Sequence, residues 1–121
     1  MTRQLILARR IIDGNGATIE GGAVLIADGL VEAVGSAAEV GRPDGVDVVD
    51  LADSTVLPGL IDVHNHVTFS GDMRVAQQVI AHDTDAMLAQ GRVNAANLLA
   101  GGITTVRDLG ALGDTAFRLT E

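Results

Sequence analysis

The chain has 121 residues, 47% of them apolar and 20% charged, which suits one ordinary folded domain or pieces of two and excludes a disordered chain. Its 16 acidic residues face eight arginines and no lysine, and the net charge of -8 argues against a nucleic-acid or anionic-membrane partner. Without cysteine there are no disulfides, zinc fingers or thiolate nucleophiles, without lysine no Schiff base or lysine-derived metal bridge, and two phenylalanines make no base-stacking platform.

The first half reads as short strands joined by glycine turns. Residues 4–12 are β-rich, but Arg9 and Arg10 interrupt the apolar stretch too early for a secretory signal. No run reaches the roughly 18 apolar residues of a membrane span, so a cytoplasmic location is the default expectation. Asp13-Gly14-Asn15-Gly16 is a turn signal. Residues 23–27 and 30–34 flank Asp28-Gly29, a pair that tolerates the positive φ angles of a type I′ hairpin turn. A loop over residues 42–45 then leads into a strand over residues 46–51.

The pattern changes near residue 56. Residues 56–63 are almost continuously apolar, as in a strand buried on both faces of a parallel sheet, starting at Gly59 or Leu60 because Pro58 suits no central strand. Gly71-Asp72 breaks the chain, and Asp72 is placed to cap a short helix through Ile80. Residues 84–100 form the best helix, with Met87, Leu88, Gly91, Ala95, Leu98 and Leu99 along one arc and Gly101-Gly102 as its stop. Residues 103–106 are a β-branched strand, and Asp114 begins a last helix to Glu121. Strand, helix, strand, helix predicts a parallel βαβ unit.

The segment with chemistry in it is Asp62-Val63-His64-Asn65-His66, at the end of the apolar strand. Residues i and i+2 share a strand face, so His64 and His66 stand side by side with Asp62 one step lower. Two neutral imidazoles there can converge on one cation, although two polar residues closing a strand give the same three-letter pattern. Asp62 is placed either to orient a ligand or to tie down the strand end. Asn65 alternates away and is read as structural. His82 lies between helices without a spaced partner and is read as a surface or helix-end residue. Arg107 and Asp108 end the second strand on opposite faces, each a tether or a substrate contact. Ser70 has no base at usable spacing.

The string Val56-Leu57-Pro58-Gly59-Leu60-Ile61-Asp62-Val63-His64-Asn65-His66, after a hairpin-rich half, resembles the start of the metal-dependent amidohydrolase superfamily. Residues 101–110, Gly-Gly-Ile-Thr-Thr-Val-Arg-Asp-Leu-Gly, resemble the second barrel strand of its imidazolonepropionase-like and Xaa-Pro-dipeptidase-like branch. The resemblance implies an α/β chain: part of a small β-sandwich over residues 1–55, then the first two strands and helices of a (β/α)8 barrel over residues 56–121. It implies His64 and His66 as ligands of a divalent metal, most often zinc, in a centre of one or two ions. The implied reaction is hydrolysis of a C–N bond in an amide or dipeptide-like small molecule by a metal-activated hydroxide, with deamination and lactam opening close by.

The family's remaining ligands, a carboxylated lysine or glutamate and two more histidines, lie on later strands. Such a barrel takes about 250 residues. This chain is therefore expected to be catalytically incomplete alone. Its expected partner is the remainder of the barrel, as continuing chain or second polypeptide, and a homo-oligomer stays open. The competing reading is a non-enzymatic domain that packs against a partner chain.

Overall fold

A computed structural model describes residues 2–120 as a mixed α/β chain in two compact units that divide between Pro58 and Gly59. The expected end of the last helix, Glu121, lies outside the described residues.

The first unit is a four-stranded mixed sheet with strand order β3-β2-β1-β4. Strands β1 (Arg3–Ile12), β2 (Thr18–Ala27) and β3 (Leu30–Ser36) form an antiparallel meander, and β4 (Asp47–Val56) returns parallel to β1. Alternation along β1 sends Leu5 and Leu7 to one face with Ala23, Leu25 and Val46, and Ile6 and Ala8 to the other with Val24 and Ile26. The first face is covered in part by α1 (Ala37–Val40) through Val40. This helix starts with a capping box: Ser36 Oγ accepts from the Glu39 N–H, and Glu39 Oε2 accepts from the Ser36 N–H at 3.0 Å. The Ser36 hydroxyl also donates to Glu39 Oε2 at 2.6 Å, and this bond first, then that of the Ser36 N–H, holds the Glu39 carboxyl below its usual range. The second face is an open apolar groove of about 310 Å³ lined by Ile11, Ile26, Val31, Val34, Val56 and Leu57. Among the described residues this unit holds a single sheet.

The turns follow their side chains. Asp13 Oδ1 accepts from the N–H groups of Asn15 and Ala17, closing the turn between β1 and β2. Between β2 and β3, Asp28 and Gly29 both take positive φ, 50° and 81°, as a type I′ turn requires. Strand β2 begins five residues earlier than expected. Its Gly21-Gly22 pair lowers β propensity, yet Gly22 is buried where a Cβ would meet Ile11 at 2.8 Å. Strand β4 runs five residues past the expected end, because Asp53, Ser54 and Thr55 lie on a sheet edge where polar side chains reach water.

The second unit pairs β5 (Leu60–Asn65) with β6 (Ile103–Asp108) in parallel, linked through α2 (Val75–Ala81) and α3 (Thr84–Ala100), with α4 (Thr115–Arg118) after β6. Gly59 lies so close to Thr104 that a side chain there would overlap it. That contact gives the Pro-Gly step before β5 a steric reason. Asp83 caps α3 by accepting from the Ala86 N–H, and Gly102, at φ 85°, turns the chain out of it.

Three expectations need correction. The apolar strand is not buried on both faces: Leu60, Ile61 and Val63 are 50%, 66% and 64% exposed, because β5 has a single strand neighbour among the described residues. The arc of α3 is buried only at Met87, Leu88 and Gly91, and Leu99 is exposed. Neither Asp72 nor Asp114 caps a helix with its side chain: α2 starts at Val75 behind Arg74, and Asp114 makes no cap bond to α4. No helix of the described residues is long and apolar enough to cross a membrane.

A Cβ on Gly29 would meet no atom within 4 Å, so Gly29→Ala changes only the backbone strain of the positive φ. The expected cost is about 1–2 kcal/mol, read as a lower urea midpoint with unchanged slope. An unchanged midpoint would contradict the turn geometry.

Candidate metal centre at the end of strand β5

His64 is on β5 and His66 is one residue past its end, both exposed. Their ring centres are 5.5 Å apart with the planes at 73°. His66 also stacks on Phe69, with centres 5.6 Å apart and planes at 25°. Gly110, after β6, closes the other side: a Cβ there would overlap His66 at Nδ1 and Cε1. His66 therefore has an aromatic neighbour and a glycine that leaves its ring room.

Asp62 does not reach either imidazole by a hydrogen bond. Its Oδ1 accepts from the His64 backbone N–H at 3.0 Å and its Oδ2 from Asn65 Nδ2 at 2.8 Å. The Asn65 bond first, then the His64 bond, holds this carboxyl below the usual carboxylate range. Asp62 thus ties the strand end, and Asn65 is its partner. Asp108 is also a tether: Oδ2 accepts from the Val67 N–H at 3.1 Å and Oδ1 from the Gly110 N–H at 2.9 Å. Arg107 is exposed and makes no ion pair or side-chain hydrogen bond among the described residues. His82 ends α2 in the left-handed conformation, its N–H bonded to Gln78 O.

Three contributors stand outside the candidate site residues named from the sequence. Asn94 of α3 donates to the carbonyls of Val67 and Phe69. Phe69 and Gly110 flank His66. Only the glycine just after the second strand could have been read as a close approach. Thr68, inside the same turn, is 1% exposed and its hydroxyl has no partner among the described residues, a cost of about 1–3 kcal/mol. The turn continues through Ser70, whose Oγ donates to Asp72 Oδ1 at 2.7 Å. Ser70 is thus engaged structurally.

Two imidazoles with an open approach suit a borderline-soft divalent ion, so the donor set fits a metal in kind. It does not complete one: among the described residues no group of three or more His, Cys, Asp or Glu is placed to hold an ion. The pair offers two ligands.

No family model matches the chain. Known proteins do. The chain is 31% identical over 103 residues to imidazolonepropionase of Acidiphilium cryptum, a match covering 83% of this chain and 23% of that protein. A Xaa-Pro dipeptidase structure with methionine in its active site matches 98% of the chain at TM-score 0.78 and 26% identity. The chain belongs to the amidohydrolase superfamily. It corresponds to the N-terminal portion of the superfamily's members. Molinate hydrolase is similar over 98% of the chain, with TM-score 0.81 and 25% identity. The chain spans 23–29% of the length of these three proteins. They are hydrolases, which makes this an enzyme superfamily.

Asp72 gives the loop after the pair a pH signature. Its carboxylate accepts from the Ser70 hydroxyl, the Arg74 N–H and Arg74 Nε, which together lower its pKa from 3.8 to about 2, the Ser70 bond most. A depressed carboxyl favours the folded loop fully above pH 3.8 and loses that effect as pH falls toward about 2. Carbon-detected NMR of Asp72 Cγ is expected to give a midpoint at about 2, and one near 3.8 would contradict the bonding.

Proposed function

We propose that His64 and His66 are two ligands of a divalent metal, zinc by the kind of donor they offer, in a hydrolase that cleaves C–N bonds of small amide or dipeptide-like substrates. The observation that carries the reading is the 5.5 Å separation of the two imidazoles at a strand end, in a chain of this superfamily. At about 2.0–2.1 Å from zinc to each nitrogen, two imidazoles on one tetrahedral ion have ring centres roughly 5 Å apart. When bound, the metal would lower the pKa of a water to about 7 and polarise the substrate carbonyl. This chain's residues set the stage for that chemistry. Asp62 holds the His64 backbone, Phe69 and Gly110 hold the His66 ring in place, and Asp108 fixes the turn between them. Asp62 and Asp108 act on the backbone beside the ligands, and Arg107 is free to meet substrate.

In the same reading, residues 56–121 are the first two β/α units of a (β/α)8 barrel, and residues 1–55 are part of a β-sandwich. The parallel β5–β6 pair and the exposed Ile61 and Val63, which further strands would cover, support it. With two ligands at hand, hydrolysis needs more ligands from the rest of the barrel, as continuing chain or second polypeptide, and these 121 residues alone are inactive.

The test is metal content by elemental analysis beside kcat on Xaa-Pro dipeptides, simple amides and imidazolone-type lactams, in the complete protein. His64→Ala and His66→Ala are each expected to strip metal and cut turnover at least about 100-fold, while His82→Ala stays near wild type. Full metal and wild-type turnover in His64→Ala would overturn the ligand assignment.

A further inference from the structure

Helix α3 sends one polar side chain into the turn that follows His66. Asn94 spends both hydrogens of its Nδ2 there, one on Val67 O and one on Phe69 O, each at 2.7 Å. Its Oδ1 accepts from Gln90 Nε2 at 2.9 Å. This network assigns the amide orientation, since the reversed amide would face two carbonyl oxygens with a third oxygen. The two carbonyls flank Thr68, which is buried together with Val67, while Phe69 is half-buried. Phe69, the second residue so held, is the ring on which His66 stacks.

We propose that Asn94 is a positioning residue for His66: by gripping the backbone on both sides of Thr68 it fixes Phe69 beneath the imidazole and keeps His66 paired with His64. The inference rests on the two-histidine reading above. Its chemistry requires a double donor at this position. Aspartate has the same shape but would set carboxylate oxygens against both carbonyls. Gln90 acts one step back, holding the Asn94 amide in orientation.

The experiment uses the complete protein and two readouts. The first is cross-relaxation between the His66 and Phe69 ring protons in metal-free, histidine- and phenylalanine-labelled protein. The second is zinc affinity by competition with a chelator. Asn94→Asp is expected to abolish the ring contact and weaken zinc binding about 10–100-fold, the usual effect of losing a group that orients a ligand. Gln90→Met is expected to move both readouts the same way, less far. Asp83→Ala, which removes the α3 cap, is expected to lower Tm and leave both readouts unchanged. Ring contact and affinity preserved in Asn94→Asp would overturn the proposal, as would an equal loss in Asp83→Ala. Should Asn94→Asp not fold, Gln90→Met decides by the same two readouts. Zinc affinity that does not depend on His64 and His66 would remove the metal reading, and the ring contact in metal-free protein still decides the role of Asn94.

Discussion

The turn over Val67, Thr68 and Phe69 has its polar backbone gathered from two elements. Asp108 at the end of β6 takes the Val67 N–H, and Asn94 in the middle of α3 takes the Val67 and Phe69 carbonyls. A net contribution of about 1 kcal/mol per neutral bond, and more for the charged one, is small beside the consequence. On this reading the histidine pair keeps its geometry while β6 pairs with β5 and α3 reaches the turn that follows His66. The docking in turn needs Gly59 against Thr104 and Gly110 against His66, two places where any larger residue overlaps its neighbour. Groups 41, 27 and 25 positions away in sequence thereby hold the turn that follows His66.

Much of the architecture was legible in the residues, for local reasons. Asp28-Gly29 predicts a hairpin because the turn needs two positive φ angles, and Leu60 starts a strand because Pro58 cannot sit inside one. The 84–100 helix ends at a glycine pair legible in the sequence, and the structure adds Asp83 as its cap. What escaped depends on tertiary context. The polar tail of β4 lies on an edge, which hydrophobic periodicity does not register. The four residues of α1 are too few to show a period, although their capping box is written in Ser36 and Glu39. Burial of β5 departs from its composition, because apolar composition states what a strand can bury, and Ile61 and Val63 stand exposed for want of neighbours among the described residues.

The site divides along the same line. The i, i+2 spacing of His64 and His66 brings the rings together locally, and Asp62 binds two and three residues away. Asp108 and Asn94 reach the turn across 41, 27 and 25 residues, so nothing in the local sequence marks them as its partners. Superfamily membership is consistent with this division: the strand-end motif carries the resemblance, while the groups that orient it come from packing. The acidic balance of the chain fits as well, since Asp62, Asp72 and Asp108 each serve as acceptors for backbone N–H groups.

The central claim is that β5 and its following turn present two imidazoles to one ion. Anomalous scattering at the metal edge, from crystals of the complete protein loaded with zinc or cobalt, tests it most directly. The account predicts a peak about 2.0–2.1 Å from one nitrogen of His64 and one of His66, with Asp62 still on the His64 N–H and Asn94 still on the turn. A peak held by one histidine alone, or lying away from both, would contradict it.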